Sequence, residues 1–329
     1  MLLLSKEDIK KVFTMKDAVA AVKEAFMIFS QGKSVVPLRT QIPAPKREGV
    51  FLFMPAYAEE LDIASVKIVN IFPKNAASDL PTAPAQVLLI DGETGIVRSI
   101  LDGTLLTQMR TGAATGAAFD VLGRKDAKIG AMIGTGSQAR MQLEAMLTVR
   151  SLDEVRIYSR NEEKKEHFAK EMQQELKHYG TKIVAAKTSD GAIEEADLIV
   201  AVTSASSPVL DGMKVKKGAT LSFVGSYQPH MQEMPPEILE RASKIYFDSK
   251  EAVLSEAGDI LIPLDEGRIT GEDLSGDLGE VLLGRESARE NNEEIIVFKT
   301  VGIGTQDLVT AKHIYEKASR EKVGTLWGE

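Results

Sequence analysis

A chain of 329 residues, 43% hydrophobic and 27% charged, has the composition of a water-soluble globular protein and the length for about two domains of ordinary size. Its formal charge of -8 argues against nucleic acid as the main partner, and the lack of cysteine excludes disulfides, thiolate metal sites and thiol nucleophiles. No run approaches the roughly 20 apolar residues of a membrane span, and the apolar part of the opening MLLLSKEDIKKVF is too short for a signal peptide, so a cytoplasmic protein is expected.

In chain order, Ser5 ahead of Glu7 and Asp8 predicts a capped helix. TMKDAVAAVKEAFMIFSQGK has apolar residues at helical spacing and stops at Gly32. RTQIPA, GVFLFMPAYA, ASVKIVNIF and AQVLLIDGETGIVRSIL read as strand-like pieces, the last folding back at Asp91–Gly95. The small residues of LTQMRTGAATGAAFDVLG suit a closely packed helix. From Lys128 the pattern changes. Strand candidates 128–133, 154–159, 197–203, 219–225 and 244–248 alternate with helices such as NEEKKEHFAKEMQQEL and PPEILERA. Such alternation predicts an α/β fold, a parallel sheet covered on both faces. QDLVTAKHIYEKASREK closes the chain as a final helix.

Gly134, Gly136 and Ala139 form G-x-G-x-x-A directly after an apolar strand and at the start of a helix. The first glycine permits the tight turn, the second lets a pyrophosphate reach the backbone, and the small third residue lets helix and strand pack. The helix N-terminus then offers free N–H groups to phosphate. This is the pattern of a dinucleotide site in a Rossmann-type, doubly wound sheet. A carboxylate ending the next strand would bind the ribose 2′-hydroxyl of NAD. Ser159 and Arg160 stand there instead, and both can donate to a 2′-phosphate. NADP(H) is therefore the expected cofactor and NAD(H) the alternative. The competing reading of Arg160 is a solvated loop arginine.

The ordered motifs LTQMRTGAATGAA, IGTGSQA, VRIYSR, FVGSYQP, SGDLGEVLLG and FKTVGIGTQD resemble the ornithine cyclodeaminase/mu-crystallin family over nearly the whole chain. The resemblance implies a homodimer. It also implies a mixed α+β substrate and dimerisation domain built from both termini, 1–115 and 305–329, around a Rossmann domain at 116–304. A family substrate carries a carboxylate beside an amine or imine carbon. By position, Arg39, Lys67 and Arg110 look like the basic residues that bind it. An arginine fork matches a carboxylate in two hydrogen bonds, and a lysine buried in an apolar strand exchanges its proton readily. The competing readings are a loop position for Arg39, an outward-facing edge strand for Lys67, and for Arg110 a helix cap or a carboxylate of the protein. Thr111 and Ser137 are expected against the cofactor's phosphates. Gln138, Thr203 and Val224 are expected as further cofactor contacts, and Gln86 is a candidate substrate contact. No residues have metal-ligand spacing, and the histidines read as surface or packing residues.

One departure from the family pattern narrows the reaction. Related cyclodeaminases carry an aspartate two residues after the glycine of the motif that here reads VGSYQP, and it serves the distal amine during ring closure. Tyr227 takes its place. A phenol is neutral near pH 7 and cannot hold an ammonium as a carboxylate does. The resemblance thus implies an NAD(P)H-dependent reductase of a small cyclic imino acid, with no membrane or nucleic-acid partner. Δ1-pyrroline-2-carboxylate giving L-proline leads, followed by Δ1-piperideine-2-carboxylate giving L-pipecolate. Lys67, Arg110, Arg39 and Tyr227 would form the substrate site. Alternatives are an ornithine cyclodeaminase, an alanine dehydrogenase and a mu-crystallin-like protein binding NADPH and a small ligand.

Overall fold

A computed structural model describes residues 1–78 and 80–328. The chain divides into two compact units, Met1–Arg110 with Ile303–Glu329, and Thr111–Gly302. Both divisions fall a few residues before the expected 115/116 and 304/305. The first lies inside a helix, where no loop or change of composition marks it.

The first unit is built on a mixed sheet of β1 (Leu2–Leu4), β2 (Ser34–Val35), β3 (Thr40–Ala44), β4 (Gly49–Ala58), β5 (Ile63–Ile71), β6 (Ala85–Asp91), β7 (Val97–Asp102) and a C-terminal strand, Thr325–Leu326. From one edge the order is C-terminal strand, β1, β7, β6, β5, β4, β2, with β3 also on β4. Only β1 and β7 run parallel among these pairs. β6 and β7 form the expected hairpin, in which Gly95 adopts φ +71° and donates its N–H to the Asp91 carbonyl at 2.9 Å. β1 was not expected, because three leucines show no alternation.

Two helices follow β1, α1 (Lys6–Val12) and α2 (Met15–Ser30). Each begins with a reciprocal cap, Ser5 with Asp8 and Thr14 with Asp17. The C-terminal helix, Gly304–Glu321, packs against α2 and against β4, β5 and β6. Its apolar face puts Leu308, Val309 and Ala311 in the core.

In the second unit, α3 (Gly103–Leu122) carries the chain from the first division into a sheet of β8 (Ile129–Ile133), β9 (Glu154–Tyr158), β10 (Lys182–Ala185), β11 (Leu198–Ala201), β12 (Thr220–Phe223), β13 (Lys244–Phe247) and β14 (Ile296–Lys299). The order is β10-β9-β8-β11-β12-β14-β13, and every pair is parallel. Chain order reverses between β8 and β11, the switch point of a doubly wound sheet. Alternate residues feed two cores: Ala131, Ile133 and Ile199 on one face, Met132, Leu198 and Val200 on the other. This is the α/β Rossmann-type fold expected from the alternating pattern.

The sequence reading passed over β10 and β14, each only four residues long. It also carried two strands too far. Val202–Thr203 and Val224–Gly225 lie beyond the ends of β11 and β12 as loop residues. Val202 and Val224 are buried there, and each still donates its N–H to the adjacent strand, Val202 to the Ile133 carbonyl at 2.9 Å and Val224 to the Ala201 carbonyl at 3.0 Å.

Candidate active site

Lys67 lies in the middle of β5, opposite Met54 of β4 and Val87 of β6. β5 is an internal strand, so the edge-strand reading of Lys67 does not hold. Its side chain shares the buried face with Ser65 and is 1% exposed. In that apolar row an ammonium needs a partner, and the C-terminal helix supplies one. Lys67 Nζ donates to Asp307 Oδ2 at 2.6 Å. Arg110, on α3, donates from Nε to Asp307 Oδ1 at 3.1 Å and from Nη1 to Gln306 Oε1 at 3.4 Å. That Gln306 oxygen also accepts the Ile303 N–H at 2.9 Å, closing the first turn of the helix.

Asp307 was not assigned a role from the sequence, although it closes the GTQD motif. A carboxylate of the protein does meet Arg110, as the competing reading held, and it meets Lys67 as well. Two cations thus share one carboxylate away from water. Burial foremost, then the charge of Arg110, lowers the Lys67 pKa to about 7; Asp307 pulls the other way, and Arg39 adds a smaller lowering. Arg39, between β2 and β3, is close enough for its charge to act on Lys67. Gln86 is not brought to this group. Its neighbour Val87 faces the same side as Lys67, so strand alternation turns Gln86 to the opposite, exposed face.

The second unit holds a cavity of about 610 Å³ at the carboxyl ends of β8, β9 and β11. Gly134, Gly136, Ser159, Arg160 and Thr203 line it, and no lining residue is acidic. Gly134 has φ +114° and abuts the Val202 carbonyl, so a side chain is excluded on both counts. A Cβ added at Gly136 would meet no protein atom within 4 Å. Helix α4 (Ala139–Val149) begins behind this turn, and its N-cap, Gln138, makes no side-chain capping bond. An open cradle over a glycine turn and an uncapped helix N-terminus fit a pyrophosphate. Ala139 is fully buried where helix meets strand.

Ser159 accepts the Thr135 hydroxyl at 3.2 Å just past β9. Arg160 is exposed and has no ion-pair partner among the described residues. Lys164 lines the same cavity. It stands in the first turn of α5 (Glu162–Glu175), where its backbone N–H is capped by Asn161 at 2.8 Å. Sequence reading missed Lys164 because it sits in a charge run that looks like solvated helix surface. Ser137 is exposed beside the glycine turn, Thr111 is partly buried on α3, and Val224 is buried just past β12. Tyr227 lies three residues further on and is 40% exposed. Among the described residues no group of three or more His, Asp or Glu is placed to hold a metal ion, and no helix is long and apolar enough to cross a membrane.

An acid-free nucleotide cradle at the switch point of a parallel sheet defines a dinucleotide-binding α/β protein of the doubly wound class. The chain belongs to the ornithine cyclodeaminase/mu-crystallin family, whose model matches residues 1–322. A Δ1-pyrroline-2-carboxylate reductase of Bacillus cereus is 38% identical over 324 residues, 98% of each chain. The structure of Thermococcus litoralis Δ1-pyrroline-2-carboxylate reductase in complex with NADH and L-proline matches at a TM-score of 0.94 and 39% identity, covering 99% of this chain and 100% of that one. An archaeal alanine dehydrogenase dimer with bound NAD matches at 0.89 and 34%, covering 99% and 98%.

Proposed function

We propose that this protein is an NAD(P)H-dependent reductase of a small cyclic imino acid, with Δ1-pyrroline-2-carboxylate to L-proline as its leading reaction and the six-membered analogue next. The observation that carries the reading is the buried group in which Lys67 and Arg110 share Asp307. With both cations charged it holds a surplus of positive charge in a dry place. A substrate carboxylate cancels that surplus, so anion binding and charging of Lys67 favour each other. Similarity to reductases named for this imine, one of them solved with NADH and L-proline, supports the same substrate class.

The residues divide the work. Arg110 and Arg39 hold and orient the carboxylate, a guanidinium fork matching its two oxygens. Lys67 takes a proton at Nζ as the anion arrives and holds it for the imine nitrogen. Asp307 stabilises the charged lysine and aims it. When bound, the nicotinamide supplies the hydride that the imine carbon accepts. That carbon accepts more readily once the nitrogen is protonated, and the sum of hydride and proton converts C=N to CH–NH.

On the cofactor side, Gly134, Gly136, Ser137, Gln138 and Ala139 hold the pyrophosphate, with Thr111 beside it, and Thr203 and Val224 contact the nicotinamide half. Ser159, Arg160 and Lys164 favour NADP(H) over NAD(H), because two cations and no acid line that part of the cavity. The working form is a homodimer, a state consistent with the dimeric alanine dehydrogenase neighbour.

The test is a panel with purified protein: NADPH or NADH with each cyclic imine, the same cofactors with pyruvate and ammonia, and ornithine without reductant. Cofactor oxidation with a cyclic imine alone is the expected outcome. Oxidation only with pyruvate and ammonia would make the protein an alanine dehydrogenase. Ammonia from ornithine would make it a cyclodeaminase, and tight binding without turnover a storage protein.

A further inference from the structure

Two loop ends at the carboxyl edge of the parallel sheet are tied to a single buried carboxylate. Glu233 is fully buried. Its Oε2 accepts the Thr203 N–H at 2.7 Å and the Thr203 hydroxyl at 2.8 Å, just past β11. Its Oε1 accepts the Val224 N–H at 3.0 Å and the Gly225 N–H at 2.6 Å, just past β12. The two loop ends are so close that a Cβ on Gly225 would overlap the Thr203 carbonyl. Behind Glu233, Asp259 Oδ1 accepts the N–H groups of Glu233 and Met234 at 2.7 and 2.9 Å. Asp259 Oδ2 lies 3.0 Å from the buried Lys299 Nζ of β14.

Strand order says what these loops serve. β9, with Arg160, lies on one side of the glycine turn, and β11 and β12 lie on the other. A doubly wound sheet places the adenosine half of a dinucleotide on the first side and the second nucleotide on the other. Thr203 and Arg160 line the same cavity. We infer that Glu233 is a positioning residue for the nicotinamide half of the cofactor, locking the β11 and β12 loop ends together so that the ring's seat exists before the cofactor arrives. The inference rests on the dinucleotide reading of this cavity. The Val224 N–H is shared with the Ala201 carbonyl at 3.0 Å, and only a carboxylate meets the Thr203 and Gly225 donors at once. An amide in its place turns an N–H toward N–H donors on one side, whichever way it is rotated. Preformed loops spare the cofactor the cost of ordering them.

The experiment compares Glu233→Gln with wild type for two ligands, NADPH and 2′,5′-ADP, or NADH and ADP if the protein prefers those. Calorimetry gives both dissociation constants, and thermal unfolding is followed in parallel. Glu233→Gln is expected to weaken the whole dinucleotide ~10-fold or more and to leave the adenosine half within about twofold. Equal weakening of both ligands, or of neither, overturns the inference while the dinucleotide reading stands. Wild-type protein that binds neither ligand overturns both. Should the variant fail to fold, hydrogen exchange on wild type decides. The amides of Thr203 and Gly225 are expected to be protected without any ligand; that of Val224 is also held by the Ala201 carbonyl and is not diagnostic. Exchange as fast as that of exposed Ser204 would show that no seat is preformed.

Discussion

Asp307 and Glu233 are both buried carboxylates, one in each unit, and they are satisfied by different kinds of group. Glu233 is met by three backbone N–H groups and one hydroxyl, all fixed by the fold. Asp307 is met by the side chains of Lys67 and Arg110. The donors on Glu233 are neutral; burial foremost and the charge of Asp259 push its pKa up, and the charge of Lys299 opposes them. Two cations overcompensate Asp307. On the proposed reading, the first arrangement is a wall and the second a receptor for an anion. A buried cation in surplus costs several kcal/mol, and burial with the charge of Arg110 accordingly lowers the Lys67 pKa to about 7.

The largest expected effect comes from removing that surplus. Lys67→Met and Arg110→Met should each lower kcat/KM for the imine by ~1,000-fold or more, since orientation and proton supply are lost together. Dissociation constants for NADPH should stay within about twofold, because neither side chain is among the proposed cofactor residues. Steady-state kinetics with cofactor-binding titrations check both halves. A Lys67→Met enzyme with near-normal turnover would remove the lysine from the proton path.

A smaller effect follows from pH. Lys67 is charged below about 7 and neutral above it. Binding of cyclopentanecarboxylate, an anion with no ring nitrogen of its own to titrate, should therefore weaken as pH rises through about 7. Asp307→Asn removes the charge that holds the Lys67 proton on, so the break should move to lower pH. Stability has the opposite slope. An unfolded lysine keeps its proton up to about 10.5 and the folded one sheds it near 7, so unfolding takes up a proton between those values and stability rises with pH there. Glu233→Gln should leave the ligand's pH break where it is, which separates the receptor from the wall. Inhibitor titrations and urea unfolding at several pH values read out the two slopes.

The exposed end of the cofactor cavity yields a more modest change. Arg160→Ala should reduce the NADPH-over-NADH preference in kcat/KM about 10-fold, the scale of one charge-assisted hydrogen bond. Lys164→Ala should lower it further in the same direction, by less. An unchanged preference in both variants would mean that the cavity discriminates by other contacts.

The units also differ in how far they could be read from residues alone. In the second unit the glycine turn and Arg160 are local signals, and the β-α alternation repeats in successive short units, so most of the sheet can be read from neighbouring residues. In the first unit, Lys67 could be picked out as a lysine in an apolar strand, yet its partner Asp307 stands 240 residues away. No periodicity links a strand near the start to a helix near the end. Glu233 was hidden for the same reason. Its four donors come from two loops that look like the tails of strands, and an acid in QEMPPE reads as surface. Local pattern finds elements; charge compensation across the fold, which selects the site, becomes visible only when the chain has closed on itself.

Tyr227 sharpens the comparison with the least expected effect. Its backbone follows directly from the segment that Glu233 fixes, and the Ser226 hydroxyl adds a bond to the Met231 carbonyl at 2.8 Å. The side chain itself is 40% exposed. A phenol hydroxyl is a weaker partner for the proposed anion than the cations of the first unit. Tyr227→Phe keeps the ring and removes only the hydroxyl, so kcat/KM for the cyclic imine should fall by no more than about threefold, the worth of a hydrogen bond that competes with water. A loss beyond about tenfold would place that hydroxyl on the substrate and make the second unit a partner in recognition as well as the holder of the cofactor.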